Sequence, residues 1–208
     1  SSIPRQGDWE RQGQTVMTPE QINAAWYGLL SMRSRSNLTA QAVRLVLATG
    51  GQRVTSLLRL EVSHVRFDAG VIDIPGDLMK AGKPHVVPIT PLALGVLKDL
   101  VGQAERRGGV KLFPGHWNSD TVIREDSISR FVAEYRDRTG CEHWTVRDIR
   151  RTAKTVMGEL GITLEDRDRI HGHARHDVSS KSYDRYGYLR EKKAGLEKWD
   201  AWLTEILE

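Results

Sequence analysis

In chain order, Arg53, Lys80, Arg147 with Arg150, His173 and Tyr183 form a set of side chains suited to work on a phosphate. Guanidinium groups grip phosphate oxygens in two-point geometry. A lysine supplies a proton, an imidazole takes one up, and a phenol becomes a nucleophile once its proton is drawn off. No carboxylate pair is evidently placed for divalent cations, which disfavours metal-assisted phosphoryl chemistry.

Spacing sharpens the picture. Arg147, Arg150, Arg151 and Lys154 fall at i, i+3, i+4 and i+7 and share one side of a helix. Val146, Ile149, Ala153, Val156, Met157 and Leu160 make its core stripe. Like charges so arranged repel by a few tenths of a kcal/mol per adjacent pair, a cost that a polyanion lying against them removes. The plain alternative is a solvated basic face. Arg53 follows Gly50-Gly51 where the next helix begins, and helix starts favour anions. Taken alone, that reads first as a capping turn with a surface arginine. His171, His173 and His176 lie within six positions, but no cysteine is near and the His-Glu-x-x-His spacing is absent, so zinc is set aside. Gly76 to Lys83 is one residue too long for a phosphate-cradling loop, and Pro84 stands where Ser or Thr is needed.

The elements that must position these residues are mostly helical. Thr18-Pro19-Glu20-Gln21 is a capped helix start, and the helix extends to about Met32. Further helices are expected over Thr39 to Ala48, Val54 to Leu60, Pro91 to Arg107, Ser127 to Thr139, Thr145 to Leu160, Thr163 to His171 and Leu189 to Leu207. Val62 to Phe67, Val71 to Ile74 and His85 to Ile89 read as three short strands of a small antiparallel sheet. Lys80 and Lys83 fall in its second connection. The fold class is therefore mainly α with a small three-stranded antiparallel sheet. On the last helix Leu196, Trp199, Trp202 or Leu203, and Ile206 make an apolar stripe.

The chain has 208 residues, with 31 Lys+Arg against 27 Asp+Glu and a net charge of +4. That is length enough for one ordinary domain with its own core. A single cysteine, Cys141, excludes an intrachain disulfide or a Cys-rich metal site and favours a reducing compartment. Apolar stretches such as Ala24 to Leu30 are too short to span a membrane, and residues 1–20 carry no signal peptide. Residues 1–17 read as a linker, and 18–208 as the folded domain that carries these candidate side chains.

Taken together the motifs resemble the tyrosine recombinase family, the integrases of phages and genomic islands. Ala48-Thr49-Gly50-Gly51-Gln52-Arg53 through Leu60 is similar to the family's first-arginine box. Met79-Lys80 through Ile89 resembles its β-hairpin lysine segment. Arg147-Asp148-Ile149-Arg150-Arg151-Thr152 resembles the box usually written His-x-x-Arg, and Ile170-His171-Gly172-His173 the Leu-Gly-His box. Tyr183 follows at the spacing of the nucleophile. Three positions depart from the pattern: Arg147 for His or Lys, Ser56 for Glu or Asp, and His171 for Leu.

The resemblance implies that Tyr183 attacks a DNA phosphate to give a 3′-phosphotyrosyl link. Arg53 and Arg150 would stabilise the phosphorane with Arg147 as a third clamp. Lys80 would protonate the leaving 5′-oxygen, with Lys83 its rival. Arg147 cannot act as a base, so that duty falls to His173, with His143 the second choice. Tyr186 and Tyr188 are the rival nucleophiles. Lys83, Arg151 and Lys154 are expected on the DNA backbone. No cofactor or metal is expected. The implied partners are double-stranded DNA attachment sites, a homotetramer assembled on them and accessory DNA-bending proteins, with no membrane. The last helix either packs on its own domain or docks on a neighbour. The implied setting is the cytoplasm of a bacterium or phage-infected host, preceded in the chain by a DNA-binding domain. The other readings are a type IB topoisomerase and a DNA-binding regulator without catalysis.

Overall fold

A computed structural model describes residues 16–32, 37–116, 118–173 and 187–208. Met17 is buried, and its N–H donates to Thr152 Oγ1 at 2.8 Å, so the described chain enters the core before its first helix. That helix, α1, runs Pro19–Asn23, continues as a π-helical stretch Ala24–Gly28, and ends with Leu29–Ser31. Thr18 caps it through Oγ1, and Gln21 reciprocates to the Thr18 N–H, the capping box its sequence announces.

The second helix, α2, spans Asn37–Ala48 and is buried on almost every side from Thr39 onward. A helix apolar all round belongs at the centre of a domain. Packed against it, besides α1, are α4 (Pro91–Arg106), α5 (Glu125–Thr139) and α6 (Val146–Glu159). The short α3 (Val54–Leu58) follows α2 directly. After α6 come α7 (Leu164–Ile170) and the long α8 (Leu189–Leu207). Among the described residues no helix is long and apolar enough to cross a membrane.

The sheet is antiparallel in the order β1 (Val65–Arg66), β2 (Val71–Ile74), β3 (His85–Pro88). Its first strand is shorter than its β-branched sequence suggests. Val62–His64 forms a 3-10 turn, because Glu61 opens it with a capping box to His64 and diverts the backbone from the sheet. The register pairs Ile72 with Val87 and Ile74 with His85. Period-2 alternation therefore turns His85 inward with Ile72 and Ile74. A further 3-10 turn at Gly76–Leu78 shapes the connection that carries Lys80 and Lys83.

The apolar stripe on α8 packs on its own domain. Leu196, Trp199, Leu203 and Leu207 are buried, and Trp202 and Ile206 partly so. Trp199 Nε1–H donates to Leu47 O at 2.8 Å, and Lys192 Nζ donates to Val86 O at 2.7 Å. These bonds tie α8 to the central helix and to β3.

Candidate active site

Two helix ends and one helix face converge here. At the end of α2, Gly50 N–H donates to Leu47 O at 3.0 Å and Gly51 N–H to Val46 O at 2.8 Å, the paired bonds of a Schellman cap. Gly50 and Gly51 have φ of 65° and 79°. Gly51 also lets α6 approach: a Cβ there would sit 2.6 Å from Arg150 Cα. Across this contact Arg150 Nη1 donates to Gly51 O at 2.7 Å.

α7 closes with the same cap. Gly172 N–H donates to Arg169 O at 3.2 Å and His173 N–H to Asp168 O at 2.9 Å, with Gly172 at φ 62°. The carbonyl of His171 accepts from Arg150 Nη2 at 3.0 Å, and that nitrogen also lies 3.1 Å from His173 Nε2. One guanidinium thus spans both caps. His171 is fully buried, with Nε2 2.8 Å from Gly50 O. His85 lies under the α7 cap, with Nε2 2.9 Å from Ile170 O, and Gln52 Nε2 donates to the same carbonyl at 2.7 Å. Burial, helped by Arg150, pushes His171 down to about 3. Burial, helped by Lys192, pushes His85 down to about 4. Both are neutral near pH 7 and donate to these carbonyls, so they pin backbone.

The electrostatics call for an anion. Arg150 is pushed down to about 10, by burial first and then by Arg53. Among the described residues its partners are two carbonyls and an imidazole, none of them negative. Arg53 is half-buried at the cap of α3, and its side chain has no hydrogen bond or ion pair among the described residues. Two adjacent guanidiniums without a carboxylate between them hold a strong positive potential. His173 is lowered from its ordinary value, by burial first, with Arg150, Arg53 and Lys154 adding to that and Asp168 opposing it. Near neutral pH it is uncharged.

The structure brings Arg53, Arg150 and His173 together. Arg147 is exposed on the first turn of α6, with no hydrogen bond or ion pair among the described residues. Lys80 is also exposed, and among the described residues unpaired, in the β2–β3 connection. Lys83, in the same connection, lines a hollow of about 160 Å³ with Met79, His85 and His173. The like-charge stripe on α6 needs correction. Arg151 pairs with Asp148 at 2.7 Å and Lys154 with Asp168 at 2.9 Å, so two of its four cations already face carboxylates. His143 is exposed, and Ser56 is buried with Oγ donating to Leu78 O at 2.7 Å. Tyr183 and Tyr186 lie outside the described residues. Tyr188 begins α8 at φ 50°, its ring under the Arg169 guanidinium at 3.5 Å.

Sequence reasoning passed over Asp168 and His85. Asp168 carried a signal: it stands five residues before a histidine that directly follows a helix-ending glycine, the spacing a Schellman cap brings together. His85 carried none, because only the strand register turns it inward.

The fold is that of a tyrosine recombinase catalytic domain. Over its whole length the chain superposes on the integrase from mycobacterium phage Brujita with a TM-score of 0.62, at 19% identity and covering 65% of that chain. A lambda integrase tetramer bound to a Holliday junction aligns over 82% of this chain and 49% of its own, with a TM-score of 0.57 and 18% identity. In sequence, prophage integrase IntZ of Escherichia coli (strain K12) is 25% identical over 201 residues, 95% of this chain and 47% of that protein. Residues 15–187 match the phage integrase family, and the chain belongs to it. It spans about half the length of the curated relatives it matches.

Proposed function

We propose that this chain is the catalytic domain of a site-specific DNA recombinase, an integrase that cuts and rejoins DNA through a 3′-phosphotyrosyl intermediate. The observation that carries the reading is the adjacent pair Arg53 and Arg150, among the described residues one unpaired and one bound only to neutral groups, beside an uncharged His173. A scissile phosphate supplies the missing negative charge.

In this mechanism the phosphate takes N–H donors from Arg53 and Arg150. Their charge is worth most in the transition state, where the pentacoordinate phosphorus carries extra negative charge. Tyr183 is the nucleophile. A phenol with an ordinary pKa of about 10 is roughly 0.1% ionised at pH 7, so it needs a base. His173 Nε2 takes the phenolic proton as the P–O bond to tyrosine forms. The P–O5′ bond breaks and the leaving oxygen takes a proton from the β2–β3 connection, where Lys80 is the donor and Lys83 the alternative. Arg147, exposed one turn before Arg150, reaches a non-bridging oxygen. Arg151 and Lys83 meet flanking backbone phosphates. The covalent link conserves the bond energy of the cut strand, so rejoining needs no nucleotide cofactor.

The partners are double-stranded attachment sites, with four copies acting together on them and DNA-bending proteins assisting, inside a bacterial or phage-infected cell. A domain contributed by the rest of the protein grips the opposite face of the DNA. The test is a nicked suicide substrate drawn from the element's own ends, incubated with the chain in EDTA and run on a denaturing gel. A covalent adduct that disappears in Tyr183→Phe is expected. An adduct that survives moves the nucleophile to Tyr186 or Tyr188. Relaxation of supercoiled DNA lacking those ends would favour a topoisomerase, and DNA binding without any adduct a regulator.

A further inference from the structure

The imidazole of His173 stands between a donor and an acceptor. Its Nδ1 lies 3.3 Å from Asp168 Oδ1, and Lys154 Nζ donates to that same oxygen at 2.9 Å. Its Nε2 lies 3.1 Å from Arg150 Nη2. Guanidinium can only donate and an ionised carboxylate can only accept. Asp168 is ionised near neutral pH: burial raises it, but the bonds from Lys154 and His173 outweigh that and hold it below the ordinary carboxylate value. One neutral tautomer satisfies both neighbours. The proton sits on Nδ1 and points to Asp168, and the lone pair sits on Nε2 and faces Arg150. The other tautomer would set N–H against N–H at Arg150 and lone pair against lone pair at Asp168. The α7 cap supports the arrangement, since His173 N–H is bonded to Asp168 O and fixes the two residues side by side. Among the described residues, Asp168 is the carboxylate bonded to His173.

We propose that Asp168 is a positioning residue that sets the tautomer and orientation of His173, and that Lys154 serves the site by holding this carboxylate rather than by gripping DNA. The inference rests on the recombinase reading for its consequence, and on the geometry alone for the tautomer. When a phosphate draws the Arg150 N–H to itself, the Nε2 lone pair is released to the attacking tyrosine. The imidazolium formed by the transfer then faces Asp168, which stays ionised, so the O–H broken on the phenol is matched by the N–H formed on His173. This is the logic of a base held by an orienting carboxylate.

The experiment records nitrogen–proton correlation spectra of the histidine rings in the full 208-residue chain at neutral pH, with His173 assigned by its loss in His173→Gln. The expected wild-type signal is the Nδ1–H tautomer. In Asp168→Ala, where only Arg150 still favours that tautomer, it gives way to a mixture with the Nε2–H form, while Asp168→Asn keeps it, because the amide oxygen still accepts. Adduct formation on suicide DNA falls about tenfold to a hundredfold in Asp168→Ala, as for loss of a hydrogen bond to a charged group. It recovers most of the way in Asp168→Asn, and Lys154→Met shows a smaller loss with unchanged affinity for DNA. A wild-type Nε2–H ring overturns the proposal, as does a tautomer unmoved by Asp168→Ala. If the alanine variant does not fold, the wild-type spectrum decides. Should the wild type form no adduct, the recombinase reading fails while the ring spectrum still judges Asp168.

Discussion

Replacing Gly51 with alanine should damage stability and chemistry together, and the size of each effect follows from the close approach it breaks. Gly51 sits at φ 79°, and a left-handed backbone costs an L-residue roughly 1–2 kcal/mol. The new Cβ would also lie 2.6 Å from Arg150 Cα, a backbone atom that no side-chain rotation can move aside. Restoring ordinary contact of about 3.4 Å moves the α2 cap and α6 apart by about 0.8 Å. Overpacking of this kind adds about 1–3 kcal/mol, for a total near 3 kcal/mol. That is roughly 6–12 °C in Tm for a domain of this size. The same displacement lengthens the 2.7 Å bond from Arg150 to Gly51 O and carries the guanidinium away from Arg53. A misplacement near 1 Å costs catalysis on the order of a hundredfold. Gly140→Ala is the control. It has φ 69° and open space around its Cβ, so it should cost only the backbone strain and leave cleavage intact. The assay pairs urea melts with adduct formation on suicide DNA. If Gly51→Ala and Gly140→Ala lose equal stability, and Gly51→Ala cleaves at the wild-type rate, the close approach does not position Arg150.

Three further outcomes are expected. Arg150→Lys keeps the charge but cannot serve both caps with a planar fork, so adduct formation should fall on the order of a hundredfold or more; near-wild-type rates would show that charge alone suffices. Trp199→Ala should cost about 3–5 kcal/mol in urea melts, because it empties a fully buried indole site and removes the indole's bond to the Leu47 carbonyl, whereas a loss under 1 kcal/mol would mean that α8 is not built into the core. Acid should destabilise the fold below pH 6.5. His85 and His171 stay neutral when folded, down to about 4 and about 3, while the unfolded chain binds their protons near 6.5. The unfolded state therefore holds more protons as pH falls, and stability drops by roughly 2 kcal/mol per histidine by pH 5, with nothing gained or lost above pH 7. Urea melts at pH 7.5 and 5.0 would refute this by agreeing.

The local elements were legible because their causes are local. The Thr18 capping box, the Pro91 helix start and the apolar period of α6 each name their element from a few neighbouring side chains. The Val62 to Phe67 run misled because β-branched composition speaks for a strand, while the Glu61–His64 cap turned half of it into a 3-10 turn. The α6 stripe misled for a different reason. Counting charges along one helix cannot see Asp168, which lies on another helix and neutralises Lys154.

The sequence by itself determined the mainly helical architecture, the glycines that end α2 and α7, and the order of the candidate site residues, since each rests on a few positions of the chain. It also determined the family, because several weak motifs in one order are jointly specific. Only the tertiary structure decided that Arg150 bridges two helix caps 21 and 99 positions away along the chain. Only it decided that His85 and His171 are buried pins rather than reactive groups, and that His173 is held between Asp168 and Arg150. Burial and charge at those atoms come from helices packed across the domain, and no short stretch of sequence carries that information.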